Sequence, residues 1–310
     1  MAEPVSYEIR GGGYRAVVLS AGAALAALER EGTGTPRALT ETWDVTARPP
    51  LGAGSILAPW PNRIRDGRFD FDGVPHRLAI TEPALGNASH GFVRRLPWRV
   101  TDRAPDRVTL AVDIGLHEGW PYPLHTTVTY RLAADGLTVT HTAVNTGVVP
   151  APFGLGVHPY LRAGDFPVDE CSLTLAAGTR LPLDDRMIPA APSQPVAGSR
   201  FDFTSPRPLR GVVLDTPFSA LLPDGDGRAR HRLSSPDGIA TELWTSPAFR
   251  WLQVFTAGDE VGKPFPGRGR ALAVEPMTCP PDAFNSGVDV VVLAPDRSWE
   301  GSWGLAAVWE

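Results

Sequence analysis

Only two cysteines, Cys171 and Cys279, occur in 310 residues. They stand far apart and no Cys-x-x-Cys pair exists, which excludes a disulfide framework and a thiolate metal knuckle. No run of about 18 apolar residues is present, so no membrane-spanning helix is expected. The N-terminal Met1-Ala2-Glu3-Pro4-Val5-Ser6 lacks a basic stretch followed by an apolar one and does not read as a secretory signal. Dense Lys/Arg blocks are missing too. Arg63, Arg65 and Arg68 are interleaved with acids, and the net charge is −5 with a pI of about 5.8. Neither nucleic acid nor a membrane is an expected partner, and a soluble cytoplasmic protein is the expectation. The chain also lacks a P-loop, a Gly-x-Gly-x-x-Gly after a strand, a Gly-x-Ser-x-Gly elbow and a His-Glu-x-x-His helix, which leaves serine-nucleophile and nucleotide chemistry unsupported.

What is present is 43% hydrophobic residues, 20% charged residues, and 32 each of glycine and proline. The glycines and prolines are scattered, so they mark many turns rather than a repeat or a disordered tract. No fixed-period repeat, βαβ alternation or Ser/Gly-rich linker divides the chain, and we expect a single domain over 1–310. Between His125 and Leu132, Val128, Tyr130 and Leu132 share one face; between Leu137 and Asn145, Leu137, Val139, His141 and Ala143 share one face. Asp135-Gly136 separates the runs, a strong antiparallel hairpin signal. Shorter strands are expected at Arg15–Ser20, Val108–Ile114, Leu252–Thr256, Ala271–Val274 and Val288–Leu293. Ala23–Glu31 is helical by propensity, although the strands around it could absorb it as a hairpin arm. The proline-rich region from Pro182 to Pro208 reads as a long surface loop. Many short strands with frequent turns imply an all-β sandwich or barrel.

Five segments could carry chemistry. In Ala273-Val274-Glu275-Pro276 an apolar run ends on a carboxylate before Pro280-Pro281 and Asn285-Ser286-Gly287. This places Glu275 where a strand gives out into a loop, although an ordinary surface Glu before a turn would read the same. Pro59-Trp60-Pro61-Asn62-Arg63-Ile64 presents Asn62 and the planar donor fork of Arg63, suited to paired hydroxyls or a carboxylate. His90 precedes Gly91, and His158 is bracketed by Gly154, Gly156 and Pro159, which constrains its backbone. Asp215 ends the apolar Val212–Leu214 triplet. A His/His/carboxylate metal set stays open on these residues, because ligands on separate strands have no required spacing.

Taken in order, Pro59-Trp60-Pro61-Asn62-Arg63-Ile64, His90-Gly91, Gly156-Val157-His158-Pro159-Tyr160 and Glu275-Pro276 with Pro280, Pro281 and Asn285 resemble the aldose 1-epimerase (galactose mutarotase) family. Each motif is short, and four in the right order are much more specific than one. The resemblance spans the chain from about Tyr14 to the C-terminal strands. It implies a large antiparallel β-sandwich of the galactose mutarotase type with few or no long helices, and it implies that Ala23–Glu31 is strand. It also implies His158 as general acid and Glu275 as general base. Arg63, His90, Asn62 and Asp215 would bind substrate, and Gln253 fits a recurring Leu-Gln position near the site. No metal or other cofactor is implied.

Those residue types suit mutarotation, which needs only a positioned acid and base with pKa values near the operating pH. The partner is then a small-molecule sugar, for a monomer or homodimer. Pro-Asn-Arg-Ile looks like the free-sugar branch, which makes a free aldohexose the expected substrate. His90-Gly91-Phe92-Val93-Arg94-Arg95 looks instead like a hexose-6-phosphate branch whose arginines could hold a phosphate. A third reading is a non-catalytic carbohydrate-binding protein on the same fold. The nine tryptophans are expected to be mostly core, and Cys279 a small buried hydrophobe.

Overall fold

Alternation with a period of two sets the architecture. In the computed structural model, which describes residues 5–32 and 34–309, the central hairpin runs Leu124–Ala133 and Gly136–Asn145. Its register pairs Val128 with His141, Tyr130 with Val139 and Leu132 with Leu137, and all six side chains are buried on one face. Gly136 has φ 109°, and a Cβ there would lie 2.4 Å from the Leu305 carbonyl oxygen, so the turn position requires glycine. Residues 1–4, 33 and 310, which the single-domain and N-terminal expectations include, lie outside the described residues.

This hairpin is part of a nine-stranded sheet that begins Arg99–Ala104, Arg107–Ile114 and continues through Ser298–Trp309, Ile239–Thr245 and Ala229–Ser234. A second, eight-stranded sheet contains, side by side, Ala177–Arg180, Asp215–Leu221, Trp251–Ala257, Ala271–Met277, Gly156–Val157 and Ile56–Leu57. One hydrophobic core fills the space between them, joining Leu110, Val128 and Val139 to Leu252, Val254, Leu272 and Val274. The fold is therefore an antiparallel β-sandwich. Its one α-helix among the described residues is the single turn Ala283–Ser286, and no helix is long and apolar enough to cross a membrane.

Several expectations shift. Ala23–Glu31 is not helical: Leu25–Arg30 pairs antiparallel with Tyr14–Leu19, after a turn at Gly22 and Ala23. Burial of Leu25 to Leu28 against the sandwich overrides the helix propensity of alanine and leucine. The strand expected at Val288–Leu293 shortens to Val291–Leu293, because Asp289 adopts φ 53° and breaks the extended run. The proline-rich loop holds two short edge strands, Gln194–Pro195 and Arg207–Pro208, with Phe203 buried in the core. Six tryptophans are buried, whereas Trp309 is two-thirds exposed at 67%.

The outer face of the eight-stranded sheet positions the candidate site. Leu252, Val254, Leu272 and Val274 point into the sandwich core. Their neighbours along the same strands point the other way, so Gln253, Phe255, Ala273 and Glu275 share the opposite face. Asp215 pairs with Phe255 on the next strand and joins them.

Candidate active site

Glu275 lies inside the strand Ala271–Met277 rather than at its end, directly across from Gln253. The strand continues through Pro276, so the apolar run at Ala271–Val274 marked only part of it. His158 sits at an interruption in the facing chain. Gly156–Val157 and Tyr160–Leu161 both pair with the Glu275 strand, and His158-Pro159 bridges the gap between them. The break turns the imidazole toward the carboxylate, with Nε2 of His158 3.4 Å from Oε1 of Glu275. Tyr160 stacks on the imidazole at 5.2 Å between ring centroids and limits its swing. Two glycines permit this packing: a Cβ on Gly154 would lie 2.6 Å from Cys279 Sγ, and one on Gly156 2.7 Å from Pro61 Cβ. Cys279 is fully buried behind the site, and burial pushes its thiol up to about 12.

A second constellation comes from the paired strands Arg63–Arg65 and Asn87–Ser89. Asn62 and His90 flank this ladder, both in the left-handed region, at φ 54° and 63°. They clasp each other: the His90 amide donates to the Asn62 carbonyl at 2.8 Å, and the Asn62 amide donates to His90 Nδ1 at 3.1 Å. With Nδ1 accepting, the neutral imidazole carries its proton on Nε2 and offers a donor there. A chain of contacts then crosses the floor. Asn62 Nδ2 donates to Gln253 Oε1 at 3.2 Å, and Gln253 Nε2 donates to Asp215 Oδ1 at 2.6 Å. Arg63 donates to Asn62 Oδ1 and to both oxygens of Glu82, at 2.7 and 3.0 Å. Three of its five N–H groups are thereby used, leaving two.

All seven residues singled out from the sequence, Asn62, Arg63, His90, His158, Asp215, Gln253 and Glu275, line one open cavity of about 260 Å³. Leu51, Thr81, Glu82, Ser89, Arg94, Phe255 and Lys263 complete it, and no tryptophan takes part. Arg94 lines the cavity but Arg95 does not. Glu82 escaped the sequence reading because Thr81-Glu82-Pro83 resembles any surface turn; its role is visible only once Arg63 is placed beside it.

Burial dominates the electrostatics. It raises Glu275 well above the usual carboxylate range; nearby Asp215 adds to the rise and Arg63 opposes it. Asp215 is raised by burial too, against the pull of Arg63 and Lys263. Burial pushes His158 down to about 4, and the Arg94 charge adds to the effect. His90 is held neutral for the same reasons, burial first and then Arg94. Burial of both groups therefore favours the neutral arrangement of the pair, with a proton on the Glu275 carboxyl and none added to His158. The ion-pair arrangement differs only by transfer of that proton across 3.4 Å.

Comparison with known proteins agrees with this architecture. The aldose 1-epimerase family model matches residues 5–305. The chain is 30% identical to the uncharacterized protein YihR of Escherichia coli over 286 residues, covering 92% of this chain and 87% of that one. It is 32% identical to the galactose mutarotase of Homo sapiens over 161 residues, which is 49% of this chain and 45% of that protein. Among solved structures, the GalM/aldose epimerase homologue from C. elegans superposes with a TM-score of 0.86 at 22% identity, covering 99% of each chain. The sandwich, the ordered motifs and a family match over nearly the full length agree: the chain belongs to the aldose 1-epimerase family.

Proposed function

We propose that the protein is an aldose 1-epimerase that interconverts the α and β anomers of an aldohexose, a free hexose being the reference substrate, in the cytoplasm. The observation that carries this reading is the buried His158–Glu275 pair, 3.4 Å apart in a cavity that also holds Asn62, Arg63, His90, Asp215 and Gln253.

In the ion-pair form, the Glu275 carboxylate takes the proton of the C1 hydroxyl while the His158 imidazolium gives one to the ring oxygen O5. The C1–O5 bond breaks, C1 becomes an aldehyde, and C5–O5 stays intact. Ring opening leaves neutral His158 beside protonated Glu275, the arrangement that burial favours, so the site stabilises the open-chain stage. Rotation about C1–C2 presents the other face of the aldehyde. O5 then attacks C1, its proton returns to His158, and Glu275 returns its proton to the new C1 hydroxyl. No net proton or electron is consumed. Arg63 has two free N–H groups and His90 one Nε2–H for sugar oxygens, while Asp215 and Gln253 hold hydroxyls on the other side. A carbohydrate-binding protein needs those contacts but no matched acid and base, and the pair therefore favours catalysis over simple binding.

Polarimetry of freshly dissolved α-D-glucose and α-D-galactose tests the proposal. Addition of the protein is expected to speed the approach to the equilibrium rotation well above the buffer rate; a panel of aldoses that all equilibrate at the buffer rate would overturn it.

A further inference from the structure

The segment that follows Glu275 has no part in the proton transfers, although its Pro280, Pro281 and Asn285 belong to the ordered motifs. Residues 271–284 are buried throughout, and Asp282 is 4% exposed without lining the cavity. Asp282 stands in the left-handed region at φ 58°. Its backbone amide donates to the Arg63 carbonyl at 2.7 Å, and its Oδ1 accepts the Arg65 amide at 2.9 Å. Arg63–Arg65 pairs with Asn87–Ser89 in a two-stranded ladder, so among the described residues its other edge has no strand beside it. Asp282 takes the place of one there. Its N–H and its carboxylate do what the N–H and C=O of a neighbouring strand residue would do. Asn285 holds the carboxylate in place, with Nδ2 donating to Asp282 Oδ1 at 2.7 Å and to the Arg68 carbonyl at 2.9 Å. The half-exposed Arg65 guanidinium adds an ion pair at 3.3 Å.

The same segment grips the chain that carries the acid. The Thr278 amide donates to the Leu155 carbonyl at 2.8 Å, and the Leu155 amide donates to Thr278 Oγ1 at 2.9 Å, shortly before His158. Between Thr278 and Asp282 lie only Cys279, Pro280 and Pro281, and the proline rings fix φ at the last two. One short, stiff run therefore joins three parts of the site: Glu275 at its start, the His158 chain at Thr278, and the Arg63 strand at Asp282. Arg63 is held most directly, because the Asp282 amide bonds the carbonyl of Arg63 itself.

Resting on the epimerase reading, we propose that Asp282 is a positioning residue for the reaction. It clasps the sugar-binding strand Arg63–Arg65 to the strand of Glu275 and thereby sets where the Arg63 guanidinium stands relative to the base.

Anomeric-exchange NMR on the best aldose of the polarimetry panel, with wild type, Asp282→Gly and Asp282→Asn, tests this. Glycine and asparagine both accept the left-handed backbone, so the two variants differ mainly in the side-chain acceptor. Asp282→Gly leaves the Arg65 amide without its partner. Its KM is expected to rise about tenfold with kcat within about threefold, because His158 and Glu275 are untouched. Asp282→Asn keeps Oδ1 and is expected to bring KM back to within about threefold of wild type. Asp282→Gly and Glu82→Gln both act through Arg63, so their KM effects are expected to fall well short of multiplying when combined. Should Asp282→Gly fail to fold, Asn285→Ala frees the carboxylate from its holder and carries the same test, with KM raised about threefold. A KM unchanged in these variants, a rise that Asp282→Asn shares in full, or effects that multiply completely would overturn the clasp while leaving the epimerase reading intact. A wild type that exchanges no aldose overturns that reading, and this inference with it.

Discussion

Replacing Glu82 by glutamine tests how the sugar-binding floor is held. Glu82 grips Arg63 through both oxygens, at 2.7 and 3.0 Å, and the Arg63 side chain is only 9% exposed. Glu82→Gln keeps the shape and one acceptor. It removes the negative charge and turns the second N–H···O contact into two facing donors. Breaking a charged hydrogen bond at a buried partner costs about 1.5–3 kcal/mol. The Glu82 side chain is 24% exposed, so water relieves part of that, and we expect about 1–2 kcal/mol of lost stability by urea titration. Arg63 then loses its fixed orientation, and its two remaining donors lose theirs. If about 1.4 kcal/mol of sugar binding depends on that orientation, KM rises about tenfold. His158 and Glu275 are untouched, so kcat is expected to stay within about threefold. A stability loss with unchanged KM would show that Glu82 supports the fold only. An unchanged stability would refute the electrostatic reasoning itself.

Two further perturbations follow from burial and packing. His141 and His231 are fully buried, and burial pushes each down to about 3. Unfolded histidine titrates near 6.5, so between those values the unfolded chain binds more protons and stability falls as pH drops through 6.5 toward 3. From pH 7 to pH 5 each is expected to remove about 2 kcal/mol, read from urea midpoints; a His231→Gln variant should show a shallower pH dependence, and an equal slope would contradict the assignment. Gly91 has φ 58°, and a Cβ there would lie 2.0 Å from the Ala58 carbonyl oxygen. Gly91→Ala should lower stability by about 2–4 kcal/mol and displace the adjacent His90, and a variant that melts like the wild type would refute the close approach.

The elements most legible in the sequence are those whose information is local. The alternation of Val128, Tyr130 and Leu132 against Val139 and His141 needs only neighbouring residues to be read, and the structure pairs them. The helix suggested at Ala23–Glu31 fails because its competitor is non-local: the strand Tyr14–Leu19 and the sandwich core outweigh propensity. At the candidate site the seven residues named from the sequence converge because their motifs hold unusual backbones, the left-handed Asn62 and His90 and the break at His158-Pro159. The sequence reading puts Glu275 at the end of its strand, because proline usually stops a strand; here Pro276 lies within the pairing, opposite Leu252, and the same strand runs on to Met277. Glu82 and Lys263 carry no local signal. Their importance lies in who is paired and who is not, which only the assembled cavity reveals.

The central claim is that Glu275 moves the proton of the C1 hydroxyl. Glu275→Gln keeps the volume and hydrogen-bonding reach of the side chain but cannot take up that proton. Anomeric exchange NMR at saturating aldose, with the sugar Kd measured in parallel by calorimetry, separates chemistry from binding. The account predicts a Kd within about threefold of wild type and an exchange rate lower by on the order of 10²–10⁴-fold. An exchange rate within tenfold of wild type in a folded, sugar-binding Glu275→Gln protein would contradict it.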